Sequence, residues 1–120
     1  MTEKILVIDD DEGILAGFEA VLGSEGYAIE ASCNAESLQS LTKDNLPGLI
    51  LLDVLLSGAD GRDICKQLKS QEDTKHIPII MISAHPNIED SIKKAGADDY
   101  LAKPFEMDEL LRKVSKYITK

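Results

Sequence analysis

Three uninterrupted apolar tetrads, Ile5-Leu6-Val7-Ile8, Leu49-Ile50-Leu51-Leu52 and Ile79-Ile80-Met81-Ile82, constrain this chain more than any other feature. A run without polar alternation has to be covered on both sides, the pattern of a parallel-sheet strand with helices on each face. Tyr27-Ala28-Ile29-Glu30-Ala31 and Tyr100-Leu101-Ala102 are more mixed and read as strands nearer the sheet edges. Between the runs the apolar period becomes helical. Ile14, Leu15, Phe18, Val21 and Leu22 share a face, with Gly26 as the stop. Leu38 and Leu41 mark a second helix behind an Asn34 cap, and Ile64, Cys65 and Leu68 a third after Gly61. Ile88, Ile92 and Ala95 mark a fourth, ending near Gly96; Leu110, Leu111, Val114 and Ile118 mark a fifth. Strand and helix alternating five times imply right-handed crossovers and one doubly wound α/β domain over residues 1–120.

Charge removes several function classes. With 13 basic and 22 acidic side chains the net charge is −9, a sign that repels nucleic-acid phosphates and anionic membranes. The expectation is therefore no direct nucleic-acid binding and no membrane attachment. The apolar stretch after Met1-Thr2-Glu3-Lys4 is too short for a signal peptide or a membrane span, which points to the cytoplasm. Cys33 and Cys65 lack metal-ligand spacing and are expected to be small buried hydrophobes.

In an open parallel sheet, ligands bind beyond the carboxyl ends of the strands. Here those ends carry Asp9 and Asp10, then Asp53, then Ser83, then Lys103. The plainer reading of Asp10 and Asp11 is helix capping, since acids suit a first helical turn, and Asp11 keeps that reading. Asp53 closes an apolar run and is poorly solvated unless a cation or donors face it. If the first and third strands are neighbours, Asp9, Asp10 and Asp53 converge and repel one another without a compensating ion. A hard divalent cation resolves the conflict, and magnesium suits one or two carboxylates completed by water and phosphate oxygens. With the Lys103 ammonium and the Ser83 hydroxyl, the set could hold a transferring phosphoryl group, and Asp53 is the acid best placed to act as nucleophile.

Four ordered segments resemble the receiver domains of two-component response regulators over essentially the whole chain: Ile5-Leu6-Val7-Ile8-Asp9-Asp10-Asp11-Glu12; Leu52-Asp53 followed by Asp60-Gly61; Ile82-Ser83-Ala84; and Gly96-Ala97-Asp98-Asp99-Tyr100-Leu101-Ala102-Lys103-Pro104-Phe105. The resemblance implies a flavodoxin-like (βα)5 fold, a five-stranded parallel sheet of order 2-1-3-4-5 with five helices. It implies a signalling switch rather than a metabolic enzyme. Asp53 would accept a phosphoryl group from the phosphohistidine of a sensor histidine kinase or a histidine phosphotransfer protein, or from a small acyl phosphate. Magnesium would be held by Asp10, Asp53 and the Leu55 carbonyl, with Asp9 acting mainly through water. Lys103 would hold the phosphoryl oxygens, behind a cis Lys103-Pro104 peptide. Ser83 would be the switch hydroxyl and Tyr100 the aromatic that turns inward as a protein-binding surface forms for a downstream effector. The chain would be a monomer or a phosphorylation-dependent dimer. For Tyr100, packing at a strand edge is an equal reading of the sequence.

The chain also departs from the family pattern. Ser57-Gly58 stands where a proline is common, so the loop over the site is expected to be more mobile. Pro86 follows His85, and the stretch from Ser83 to Tyr100 is short, so the fourth helix is expected to start late. Leu55 and His85 lie two residues beyond Asp53 and Ser83, where the family's hydrolytic water passes; His85 reads equally as a solvated loop residue, and His76 as an ordinary one. Three alternatives differ in class. A pseudo-receiver acting as a phosphorylation-independent interaction module is disfavoured by the intact Asp9, Asp10, Asp53, Ser83 and Lys103. A dehalogenase-type phosphohydrolase would want an acid where Leu55 stands. A flavodoxin-like electron carrier would want a phosphate-binding loop where Asp9-Asp10-Asp11-Glu12 repels phosphate.

Overall fold

Each apolar tetrad lies inside a strand with its side chains removed from water. The computed structural model describes residues 4–34, 36–39, 41, 45–56, 58–85 and 87–118. Among them run β1 (Lys4–Ile8), β2 (Ala28–Ser32), β3 (Leu49–Asp53), β4 (Ile79–Ser83) and β5 (Asp99–Ala102). They form one sheet in which each pair is parallel, in the order β2-β1-β3-β4-β5, as the resemblance implied. A separate antiparallel hairpin, Leu55–Leu56 against Ala59–Asp60, follows β3.

The helices are α1 (Glu12–Ser24), α2 (Glu36–Gln39), α3 (Gly61–Ser70), α4 (Glu89–Lys94) and α5 (Met107–Tyr117). Strand periodicity divides the core between two faces. Ile5, Val7, Leu49, Leu51, Ile80 and Ile82 point toward Leu15, Phe18 and Leu22 of α1 and Leu110 and Val114 of α5. Leu6, Ile8, Ile50, Leu52, Ile79 and Met81 point the other way, toward Cys65 and Leu68 of α3 and Ile92 of α4. Both faces of the central strands are thus buried, which is why those strands show no alternation.

The edges differ from expectation in instructive ways. Cys33 is exposed, not buried, because it lies one residue past the end of edge strand β2; Cys65 is buried as expected. Asn34 Oδ1 accepts the Glu36 N–H at 2.9 Å, the anticipated cap, but α2 is four residues long and Leu41 lies beyond it. The fourth helix does start late: α4 has six residues, preceded by Asn87 in the left-handed region at φ 59°. Ser57 and Pro86 lie outside the described residues. Among the described residues no helix is long and apolar enough to cross a membrane.

Candidate functional site

Parallel pairing of β1 with β3 sets Ile8 opposite Leu52, so the next residues, Asp9 and Asp53, leave the sheet side by side. Asp9 is 2% exposed and Asp53 8%, whereas Asp10 is exposed at the rim. Carboxylate oxygens of all three lie within 4.8 Å of one another, the convergence foreseen from strand adjacency. Capping falls to Asp11 rather than Asp10: its Oδ1 accepts the Gly13 and Ile14 N–H groups at 2.9 and 3.2 Å. The Asp11 N–H in turn donates to Asp9 Oδ1 at 3.0 Å, so the start of α1 orients one carboxylate of the site.

Lys103 enters from the end of β5. Its ammonium donates to Asp9 Oδ2 at 3.0 Å and stands 3.6 Å from Asp53 Oδ1. One cation against three acids leaves the balance negative. Burial, first, and then the charges of Asp9 and Asp10 outweigh Lys103 and the Val54 N–H, raising the Asp53 pKa from 3.8 to about 6. The Lys103-Pro104 peptide is cis.

Ser83 ends β4, its hydroxyl buried and accepting the His85 N–H at 3.0 Å. The Lys103 N–H donates to the Ser83 carbonyl at 2.8 Å, tying the ends of β4 and β5 together. His85 is exposed, and Leu55, on the hairpin just past Asp53, is 48% exposed. Tyr100 is half-buried and packs on the α3–α4 side of the sheet, where with Glu89, Ile92, Lys93 and Lys113 it lines a small cavity of about 140 Å³. An apolar cavity of about 590 Å³ opens next to Lys103, lined by Ile14, Phe18, Pro104, Phe105 and Met107; Asp9, Asp10, Asp53 and Ser83 do not line it.

Gly61 was legible as the mark before the third helix and as half of the Asp60-Gly61 pair, and it also shapes the site. Its N–H donates to the Val54 carbonyl at 2.6 Å. A Cβ there would overlap the Asp53 carbonyl oxygen and stand 3.1 Å from Val54 Cα, so only glycine lets α3 start against the Asp53 backbone. Arg62 carried no motif signal. Its guanidinium grips Asp60, holding that carboxyl below the usual range, and reaches Ser91.

The donor set fits a divalent cation: three convergent carboxylates, two of them buried, are an all-oxygen, anionic cluster of the kind magnesium takes together with water. This open α/β sheet carries acids at the ends of neighbouring β1 and β3 and a lysine at the end of β5, all on the carboxyl edge where such sheets bind ligands. The comparisons agree. The family model for the response regulator receiver domain matches residues 5–115, and the chain belongs to that family. It is 38% identical over 113 residues to the DNA-binding dual master transcriptional regulator RpaA of Synechocystis sp., covering 92% of this chain and 47% of that protein. A crystal structure from Chloroflexus aurantiacus matches with a TM-score of 0.89 at 36% identity, covering 98% of both chains. The BeF3-activated DrrB receiver domain matches with a TM-score of 0.84 at 28% identity, covering 98% of this chain and 97% of that one. The chain spans about half the length of the first curated relatives it matches.

Proposed function

We propose that this receiver domain is a phosphorylation-controlled switch in which Asp53 is the phosphoacceptor. The observation that carries the reading is the buried, undercompensated Asp53 carboxylate beside Asp9, Asp10 and Lys103. An Asp53 oxygen attacks the phosphorus of a phosphohistidine; the new O–P bond forms as the P–N bond breaks, and the imidazole leaves with the electron pair. With a pKa near 6, Asp53 is ionised at neutral pH yet more basic than an ordinary carboxylate, which favours attack. Asp9, Asp10, Asp53 and the Leu55 carbonyl would hold magnesium, which supplies charge neutralisation at the phosphoryl oxygens. Lys103 would turn its ammonium to the same oxygens, and Ser83 would offer its hydroxyl as Tyr100 changes position.

The partners that follow are a sensor histidine kinase or histidine phosphotransfer protein upstream and an effector downstream. RpaA is a DNA-binding regulator about twice the length of this chain; the acidic receiver unit itself is proposed to act through protein contacts, in the cytoplasm, as a monomer or a phosphorylation-dependent dimer.

Intact-protein mass after incubation with acetyl phosphate, with and without magnesium, tests the chemistry on the native chain and on Asp53→Asn. A single phosphoryl adduct requiring both magnesium and Asp53 is expected. Failure with acetyl phosphate and with a phosphorylated histidine kinase would instead assign the chain to phosphorylation-independent interaction modules.

A further inference from the structure

The helix α4 is poorly equipped to hold itself in place. It has six residues, no side-chain cap at Ile88, and a left-handed Asn87 two residues before its start. A helix that short depends on what it is attached to. Two buried groups, Ile92 and Ala95, fasten its inner face and its end. Its first turn is fastened by Arg62, whose Nη1 donates to Ser91 Oγ at 3.1 Å, while the Ser91 hydroxyl donates to the Ile88 carbonyl at 2.8 Å. One serine thus ties the start of α4 both to itself and to α3.

The other end of this arginine is fixed to the phosphoacceptor loop. Arg62 Nε and Nη2 donate to the two Asp60 oxygens at 2.9 and 2.6 Å, a fork that sets the guanidinium plane before it meets Ser91. Asp60 closes the hairpin opposite Leu55 and caps α3 through the Arg62 N–H. The next residue, Gly61, lies against the Asp53 carbonyl and bonds to Val54. From the Asp53 backbone to the first turn of α4, every step is therefore a covalent bond, a close contact or a hydrogen bond.

We propose that Arg62 is a positioning residue that carries the state of Asp53 to α4: anchored on Asp60 at the edge of the phosphoacceptor loop, it sets where α4 rests through Ser91. The inference rests on the reading of Asp53 as phosphoacceptor. A contiguous chain of contacts counts as coupling only if removing its links acts on both ends together.

The test uses amide hydrogen exchange across the native chain, with and without magnesium and beryllofluoride as the phosphoryl mimic, in Arg62→Ala, Ser91→Ala, the double variant and Ser91→Thr. Without the mimic, α4 amides in either alanine variant should exchange about tenfold faster, with β3 and α5 unchanged. The double variant should lose no more than either single one, and Ser91→Thr, which keeps the hydroxyl, should behave as native. With the mimic bound, seen as a fluorine NMR signal absent in Asp53→Asn, the native α4 amides should change exchange and those of Arg62→Ala should not. An unchanged α4 response in Arg62→Ala, or additive losses in the double variant, would overturn the inference and leave the phosphoacceptor standing. A native chain that takes up no beryllofluoride would instead overturn the reading of Asp53, and the transmission with it.

Discussion

Replacing Asp53 by asparagine should make the protein more stable at neutral pH, and the size of the gain follows from the charge imbalance at the site. Burial and the neighbouring Asp9 and Asp10, set against Lys103, raise the Asp53 pKa from 3.8 to about 6. At about 1.4 kcal/mol per unit, ionised Asp53 destabilises the fold by about 3 kcal/mol. Because the folded pKa is the higher one, the native state binds the extra proton between the two values. The stabilisation from protonated Asp53 is therefore fully present below pH 3.8 and is lost as pH rises through about 6. Asparagine keeps the shape and removes the charge, and Lys103 retains its closer partner Asp9 at 3.0 Å. The rise already sets the Lys103 attraction at 3.6 Å against burial and repulsion, so a gain of about 3 kcal/mol is expected at pH 7.5, or roughly 12 °C in Tm for a chain of 120 residues. Urea unfolding of both forms without divalent cations should show the gap narrowing by about half at pH 5 and closing near pH 4. Asp60 and Asp99 do not blur this window: their pKa values are lowered, so the stability they contribute is lost only as pH falls below the ordinary carboxylate range. Adding magnesium should stabilise the native chain far more than Asp53→Asn. Equal stabilities at pH 7.5, or a gap indifferent to pH, would refute the charge conflict.

Three further changes probe the surroundings of that carboxylate. Gly61→Ala forces a Cβ against the Asp53 carbonyl and should cost about 1–3 kcal/mol by urea unfolding while slowing adduct formation from acetyl phosphate, because the nucleophile itself is displaced. Lys103→Met leaves buried Asp9 and Asp53 without their cation; a loss of about 3 kcal/mol at pH 7.5 is expected, partly restored by magnesium, with adduct formation strongly slowed. Leu55→Asn puts a polar group on the hairpin beside the site, so the phosphoryl adduct should decay faster by mass spectrometry; an unchanged lifetime would mean that apolar Leu55 does not shield it.

Much of this was legible because the residues that place the site are those whose patterns cannot be read two ways. The tetrads at Ile5, Leu49 and Ile79 dictate buried parallel strands, and once β1 and β3 are neighbours the meeting of Asp9 and Asp53 needs no further information. Lys103 is legible for the same reason, as the residue after a strand. What escaped depends on distance across the fold. The exposure of Cys33 turns on where an edge strand stops, and edge strands carry weak patterns. The steric need for Gly61 arises from the backbone of Asp53, eight positions earlier in sequence and hidden by the intervening hairpin. Arg62 reads as an exposed helix residue until Ser91, 29 positions on, is seen beside it.

The same charge imbalance bears on which of the three acids would accept a phosphoryl group under the proposed function. Lys103 lies nearer Asp9 than Asp53, and Asp9 also accepts the Asp11 N–H, so Asp9 has two donors on it. Asp10 is exposed, and water solvates its charge. Asp53 combines burial with the more distant ammonium, and burial raises its pKa to about 6. It is also held firmly from behind, with β3 buried along its whole length and Gly61 against its carbonyl. A nucleophile benefits from both properties: an electron pair left basic by incomplete neutralisation, and a backbone that does not yield as the new bond forms. The destabilisation that asparagine would relieve is therefore the same property that would suit Asp53 to attack phosphorus in the proposed reaction. A phosphoryl group on Asp53 would add negative charge to this cluster, so the added charge has to be met by a divalent cation, by movement of Lys103, or by both.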